Sequence, residues 1–145
     1  MSARPISIRI DAASEVSALI DRPRDVKALL VLAHGTGTGM THRHMAATTE
    51  ALATRGITAL RFNFPHMEKG AKRQDSPAVA CAAVRAAVAR ARKLAGDTPV
   101  FAGGRSFGGH MTSQAQTEEA MPGVRALVFL AWPLHPSGEP GTDRA

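Results

Sequence analysis

A run of six consecutive apolar residues, Ala28 to Ala33 (ALLVLA), limits the folds open to this chain more than any other segment. A strand with one solvated face alternates apolar and polar residues, whereas a strand covered on both faces is an unbroken apolar run. Strands of the second kind belong to parallel sheets that carry helices on both sides. We therefore expect Ala28 to Ala33 to be a buried strand of a mostly parallel sheet.

The rest of the chain alternates between strand and helix patterns. Apolar residues at every second position predict an opening hairpin from Ile6 to Ile10 and Val16 to Ile20, before the buried run. After that run, helical patterns alternate with further strand patterns. The predicted helices are Thr41 to Arg55, Pro77 to Leu94 and Phe107 to Ala120; the predicted strands are Ile57 to Phe64, Pro99 to Gly103 and Val124 to Trp132. Repeated βα units predict an α/β fold with a mostly parallel sheet flanked by helices.

The chain has 145 residues, of which 44% are hydrophobic, and a single cysteine, Cys81. This length predicts one domain over residues 1–145, with enough buried surface to fold without disulfides. One cysteine excludes a disulfide framework and favours a reducing, cytoplasmic location. We see no signal peptide and no run of about 18 apolar residues that would span a membrane.

The formal net charge is +6, which raises the question of nucleic-acid binding. Basic residues occur along the whole chain, with modest concentrations at Lys69, Lys72, Arg73, Arg85, Arg90, Arg92 and Lys93. No aromatic residues stand among them to stack on bases. We interpret them as a solvated basic face, so a nucleic-acid-binding module is the least favoured function.

The segment Gly103 to Gly109 (GGRSFGG) contains the pattern Gly-x-Ser-x-Gly, with Ser106 at its centre. It follows a predicted strand and precedes a predicted helix, which is the setting of a nucleophile elbow. In such an elbow the serine adopts a strained conformation that projects its hydroxyl beyond the sheet, and only glycine fits two positions before and after it. The alternative is a glycine-rich turn with an incidental serine.

The segment His34 to Gly37 (HGTG) directly follows the buried run. Acyl transfer needs two backbone N–H donors for the developing oxyanion, one from the residue after the nucleophile and one from a neighbouring loop. Phe107 and Thr36 are the candidates. Nucleotide binding is the competing interpretation of this glycine-rich loop, but the next strand carries Asn63 where an acidic ribose ligand is expected.

Three segments together resemble the α/β-hydrolase superfamily: HGTG (His34 to Gly37), GGRSFGG (Gly103 to Gly109) and RFNFPHMEKG (Arg61 to Gly70). The similarity is to small dienelactone-hydrolase-like proteins, particularly the group related to subunit 3 of the non-specific-lethal complex and to testis-expressed protein 30. It extends through VFLAWPLHP, from Val128 to Pro136. The resemblance implies an α/β-hydrolase-like sheet, with Ser106 as the nucleophile.

In this superfamily an acid and then a histidine follow the nucleophile, on loops after later strands. The residues of those types after Ser106 are Glu118, Glu119, Glu139, Asp143, His110 and His135. None stands in the expected place, although His135 is a candidate for the base. We therefore expect the chain to lack the C-terminal strands and helices of the fold. The strand from Val124 to Trp132 would then be exposed, which predicts homo-oligomers.

The predicted function is hydrolysis of an ester or related acyl compound through an acyl-Ser106 intermediate, with the amides of Thr36 and Phe107 as oxyanion donors. The expected partner is a small-molecule acyl substrate, and neither an organic cofactor nor a metal is implied. His34 is expected to organise its loop, and His42, His44 and His66 to be surface or lid residues. We expect Phe64, Pro65, His66 and Met67 to line the pocket. A chain of this length that lacks the acid and the histidine would be inactive, so the alternative is a catalytically silent scaffold of the same fold or a truncated product.

Overall fold

The computed structural model describes residues 3–131. Its strands are β1 (Arg4–Arg9), β2 (Glu15–Asp21), β3 (Ala28–Ala33), β4 (Ile57–Phe62), β5 (Val100–Arg105) and β6 (Val124–Leu130). Its helices are α1 (Arg43–Ala53), α2 (Pro65–Glu68), α3 (Pro77–Ala95) and α4 (Phe107–Glu118).

The strands form one sheet in the order β1-β2-β4-β3-β5-β6. Strands β4, β3, β5 and β6 are parallel to one another, while β2 pairs antiparallel with both β1 and β4. The predicted hairpin and the mostly parallel sheet are both confirmed. The chain passes from β3 to β4 on one side and later returns to β5 on the other side of β3. The carboxyl ends of β3 and β5 therefore flank a topological switch point, where ligands bind in open α/β sheets.

The unbroken apolar run of β3 supplies both faces of the sheet. Leu29, Val31 and Ala33 belong to the larger core cluster, which also contains buried residues of α3 and α4. Leu30 and Leu32 point the other way and pack with Met45 of α1. Because successive strand residues alternate between faces, a strand covered by helices on both sides must be apolar at every position.

The long helix α3 packs on the sheet through small side chains. Ser76 caps it by accepting a hydrogen bond from the Val79 amide, and Pro77 occupies the first turn, where a missing N–H costs nothing. The buried positions are Ala80, Cys81, Ala83, Val84, Ala87, Val88 and Ala91. Val79 is 44% exposed, because it lies on the flank of the helix beside that stripe.

The segment after β4 differs from the sequence-based prediction. The predicted strand reached Phe64, whereas β4 ends at Phe62 and the single helical turn α2 begins at Pro65. Proline at the first helical position fits this turn because its fixed φ suits a helix. A helix of four residues is too short to show helical periodicity, so the pattern did not indicate it.

Polar side chains at the end of β4 hold the loop that follows β3. Arg61 donates to the Met40 carbonyl at 3.0 Å and pairs with Asp21 at 3.3 Å. The Asn63 side chain accepts from the Met40 amide at 2.9 Å and donates to Glu68 at 3.0 Å. Asn63 thus serves an internal network, which fixes the far end of the HGTG loop.

Candidate active site

Ser106 stands between the last residue of β5 and the first residue of α4. Its backbone has φ 51° and ψ −115°, a region that residues with a side chain rarely adopt. The Ser106 amide donates to the Leu130 carbonyl of β6 at 3.0 Å, and its carbonyl accepts from the His110 amide at 3.0 Å. The predicted strand-turn-helix setting is therefore present, with Ser106 at the sharp turn.

Two glycines allow β5 and α4 to meet at this turn. A Cβ atom on Gly104 would lie 2.6 Å from the Ala33 carbonyl oxygen, and one on Gly108 would lie 2.5 Å from the same atom. Real Cβ atoms do not approach backbone atoms so closely, so a side chain at either position would push α4 away from β3. The expectation that only glycine fits on both sides of Ser106 agrees with this geometry.

The HGTG loop lies beside Ser106 because β3 and β5 are neighbouring parallel strands. A Cβ atom on Gly35 would lie 3.6 Å from the Cβ of Ser106, which is ordinary van der Waals contact. Phe107 is the first residue of α4, where backbone amides have no acceptor within the helix. The Thr36 amide donates no hydrogen bond within residues 3–131. Within the described residues, neither of the two proposed oxyanion donors is therefore used in a hydrogen bond.

His34 is fully buried directly after β3. Its Nε2 accepts from the Phe64 amide at 2.9 Å, so the proton of the neutral ring lies on Nδ1, which donates to the Gly35 carbonyl at 2.7 Å. Burial lowers the pKa of His34 to about 4, which keeps the ring uncharged at neutral pH. His34 thus connects the HGTG loop to the turn at α2, in the organising role expected from the sequence.

Ser106 opens into a cleft of about 330 Å³. The lining residues are Thr36, Gln74, Pro77, Ser106, Phe107, His110, Met111 and Gln114. Ser106, His110 and Gln114 follow one another at intervals of four along one face of α4. Thr36 and Gln74 are joined by a hydrogen bond of 2.8 Å from the Thr36 hydroxyl to the Gln74 side chain.

The prediction of the residues that line the pocket is wrong. None of Phe64, Pro65, His66 and Met67 lines the cleft that contains Ser106. Phe64 is fully buried in the core, because the chain turns inward at α2 instead of continuing as a strand towards the cleft. The place expected for this wall is taken by the loop that carries Gln74.

His66 was expected at the surface, but it is only 3% exposed. Its Nδ1 lies 2.9 Å from the Asp75 carboxylate, which also accepts from the His66 amide at 2.9 Å. This pair closes the loop between α2 and α3 and brings Gln74 next to Thr36. The sequence analysis missed both Asp75 and Gln74. The usable signal was weak: an aspartate followed by Ser-Pro shortly before a helix, which indicates an ordered turn.

His42 and His44 lie at the start of α1 and contact each other there. His42 caps α1 by accepting from the His44 amide at 3.2 Å, and the two rings stack with centroids 5.0 Å apart. Within residues 3–131, no group of three or more metal-ligating side chains lies together.

The candidate base His135 lies outside the described residues. No residue in the described range forms a hydrogen bond with the Ser106 hydroxyl.

Comparison with known proteins shows the family to which the chain belongs. A family model described as an alpha/beta hydrolase domain matches residues 26–145. The chain belongs to this alpha/beta hydrolase domain family. The superfamily inferred from HGTG, GGRSFGG and RFNFPHMEKG is thus confirmed. Among curated proteins, none matches this alpha/beta hydrolase domain by sequence.

Solved structures share its fold. An alpha-beta serine hydrolase homologue from Coxiella burnetii is similar with a TM-score of 0.75 and 19% identity, over 92% of this chain and 65% of that one. Dienelactone hydrolase from Anabaena variabilis has a TM-score of 0.77 and 17% identity, over 88% of this chain and 62% of that one. Est1E from Butyrivibrio proteoclasticus, solved with ferulic acid bound, has a TM-score of 0.73 and 25% identity, over 84% of this chain and 50% of that one.

The alpha/beta hydrolase domain therefore spans less than two thirds of each of these three proteins. Within the described residues, no helix is both long enough and apolar enough to cross a membrane.

Proposed function

We propose that this domain hydrolyses esters or related acyl compounds through an acyl-Ser106 intermediate. The observation that carries the proposal is the strained backbone of Ser106 at the entry to α4, beside the HGTG loop. Strain of this kind costs about 1–3 kcal/mol and is concentrated at functional sites.

The chemistry follows from the groups around the cleft. The Ser106 oxygen attacks the acyl carbon and its proton passes to a base, while the carbonyl oxygen gains negative charge. The amides of Thr36 and Phe107 donate to this oxyanion, and the positive end of the α4 dipole favours the same charge. Loss of the alcohol leaves an acyl-serine ester, and water then releases the acid and restores Ser106.

The general base and its carboxylate partner come, in this proposal, from outside residues 3–131. A serine hydroxyl is a weak nucleophile without a base, and the described residues offer its oxygen no hydrogen bond. The oxyanion donors still favour the transition state, because an oxyanion hole and substrate binding alone leave about 10³–10⁴-fold catalysis in serine proteases stripped of their triads.

The cleft indicates the size and polarity of the acyl group. At about 330 Å³ it lies at the small end of ligand pockets, and the side chains of Gln74, His110 and Gln114 make its wall polar. We infer a short acyl group with a polar substituent.

We also propose that the chain belongs to the dienelactone-hydrolase-like group related to subunit 3 of the non-specific-lethal complex and to testis-expressed protein 30. The segments FNFP (Phe62 to Pro65) and MEKG (Met67 to Gly70) support this placement.

Release of p-nitrophenol from p-nitrophenyl acetate tests the proposal. We expect the 145-residue protein to release p-nitrophenol faster than buffer, and Ser106→Ala to reduce the rate to that of buffer. Ser113→Ala is the matched control, because Ser113 lies on the same helix outside the cleft; its rate should equal that of the unchanged protein. Equal rates for Ser106→Ala and the unchanged protein would refute a covalent role for Ser106.

A silent scaffold is the second candidate, and the observation that favours it is the edge of the sheet at β6. Within residues 3–131 no strand pairs with the outer edge of β6, and Phe129 is 39% exposed. An exposed apolar edge strand promotes association, so this candidate predicts dimers or larger species on size-exclusion chromatography. A monomer that releases p-nitrophenol through Ser106 would exclude it.

A further inference from the structure

A groove of about 820 Å³ runs between β1 and α3, away from the Ser106 cleft. Its lining on one side is the consecutive segment from Ser7 to Ile10, and on the other side it is one face of α3. Because β1 is the first strand of the sheet order, no strand within residues 3–131 pairs with its outer edge. The groove therefore presents strand backbone that lacks a ladder partner.

Three of the six α3 residues that line this groove are alanines, and the other three are long basic residues. Ala82, Ala86 and Ala89 follow one another at intervals of three or four residues, which places them on one helix face. An alanine side chain extends by a single carbon, and an added strand needs about 4.8 Å between its axis and that of β1. The groove thus has room for an extended chain beside β1.

The same groove is strongly basic. Its charged lining residues are Arg9, Glu15, Arg85, Arg90 and Lys93. Arg9 pairs with Glu15 at 3.2 Å, and Arg85 donates to the carbonyls of Ala115 and Glu119, so these cations already have partners. Arg90 and Lys93 form no ion pair with any described residue, and the buried Nε of Arg90 has no acceptor in that part of the chain. They supply the uncompensated charge.

A second groove of about 660 Å³ continues the first at Ile10, Glu15 and Ala82. Its surface is mainly apolar and includes Val79, which is 44% exposed although α3 buries most of its apolar residues, but Asp11, Glu68 and Lys69 also line it. The combined groove is therefore basic where Arg90 and Lys93 lie, and mainly apolar without excess positive charge at its other end. An extended ligand would be held at both ends by different chemistry, which fixes its direction.

We propose that this groove binds an extended acidic segment of a partner protein, which adds to the sheet as a strand beside β1. Backbone hydrogen bonds to β1 would begin after Pro5, which has no N–H, and side chains at every second position of the segment would face α3. Acidic residues at those positions meet Arg90 and Lys93. Nucleic acids have no peptide backbone to continue the ladder, so peptide is favoured over them.

Fluorescence anisotropy with a labelled ten-residue peptide of alternating Val and Glu tests this site. We expect the 145-residue protein to bind the peptide, and the double variant Arg90→Glu with Lys93→Glu to bind about tenfold more weakly, as the loss of favourable rim charges predicts. The double variant Arg43→Glu with Arg55→Glu makes the same charge change at the first residue of α1 and two residues beyond its end, on the opposite face of the sheet. It should bind within about twofold of the unchanged protein.

Two N-methylated peptides separate strand addition from charge attraction. One carries methyl groups on the odd-numbered amides and the other on the even-numbered amides, so both keep the charge. Since an added strand uses only alternate amides towards its neighbour, one peptide should lose binding and the other should keep it. Absence of binding, equal binding of both methylated peptides, or equally tight binding of a ten-residue thymidine oligonucleotide would overturn the proposal.

Discussion

Ser106 holds a backbone conformation that its neighbours impose. The Ser106 amide is tied to Leu130 of β6, and α4 begins at the next residue. Gly104 and Gly108 remove the side chains that would prevent the close approach of α4 to β3. The sequence motif made this residue predictable, because the same steric requirement that creates the turn also dictates glycine at those two positions.

His34 gives a residue-level prediction about pH. Its pKa is about 4 in the folded protein against 6.5 for an ordinary histidine, so below pH 6.5 the unfolded chain binds a proton that the folded protein excludes. The contribution of neutral His34 to the free energy of unfolding is therefore complete above pH 6.5. It decreases as the pH falls towards 4, by roughly 3 kcal/mol over the whole interval. Urea unfolding at several pH values measures this.

His34→Gln is the matched variant for this measurement. A glutamine side chain can donate to one partner and accept from the other, but it does not titrate. We expect the decrease in stability between pH 6.5 and 5 to be much smaller in His34→Gln than in the unchanged protein. The carboxyl of Glu68, whose pKa lies below its ordinary value of 4.5, contributes only at lower pH. Parallel curves for the two proteins would contradict the assignment.

At the scale of the elements, the loop between α2 and α3 sets the wall of the cleft. Asp75 binds the ring and the amide of His66, and the neighbouring Gln74 accepts from Thr36. The loop therefore connects a buried anchor to the proposed oxyanion loop. Patterns along the sequence did not indicate this connection, because His66 and Asp75 lie nine residues apart in a segment with no helical or strand period.

Asp75→Asn tests the role of this anchor. An amide is a weaker acceptor than a carboxylate, so we expect the free energy of unfolding to fall by about 1–3 kcal/mol. We also expect KM for p-nitrophenyl acetate to rise more than kcat falls, because Gln74 shapes the cleft and takes no part in bond making. Asp97→Asn, an exposed position before β5, is the control. Unchanged KM together with normal stability would show that the anchor does not position the cleft.

The order of helices and strands along the chain could be predicted from the sequence, whereas the order of the strands across the sheet could not. Periodicity reports which residues are buried, so β3, α3 and α4 were recognisable from the chain alone. The placement of β3 between β4 and β5 results from right-handed crossovers and from packing of the whole sheet. That placement brings Thr36 close to Ser106, although 70 positions separate them in the printed sequence.

At the scale of the whole molecule, the sheet organises two separate regions. The switch point between β3 and β5 carries Ser106 and the HGTG loop, while the edge at β1 carries the basic groove against α3. The Ser106 region could be predicted from the sequence, because local sterics require its motifs. The basic groove could be recognised only in the folded structure. In the sequence, Arg90 and Lys93 are indistinguishable from a solvated basic face, and only the sheet order shows that β1 is an edge strand.

The central claim is that Ser106 is an activated nucleophile, and labelling with a fluorophosphonate probe tests it most directly. The probe phosphonylates a serine oxygen with loss of fluoride, and it needs the same activation and oxyanion donors as an ester. We predict that mass spectrometry of the treated 145-residue protein locates one adduct on Ser106, that Ser113→Ala still carries it and that Ser106→Ala does not. No adduct on the folded protein, or equal labelling of Ser106→Ala, would contradict the account.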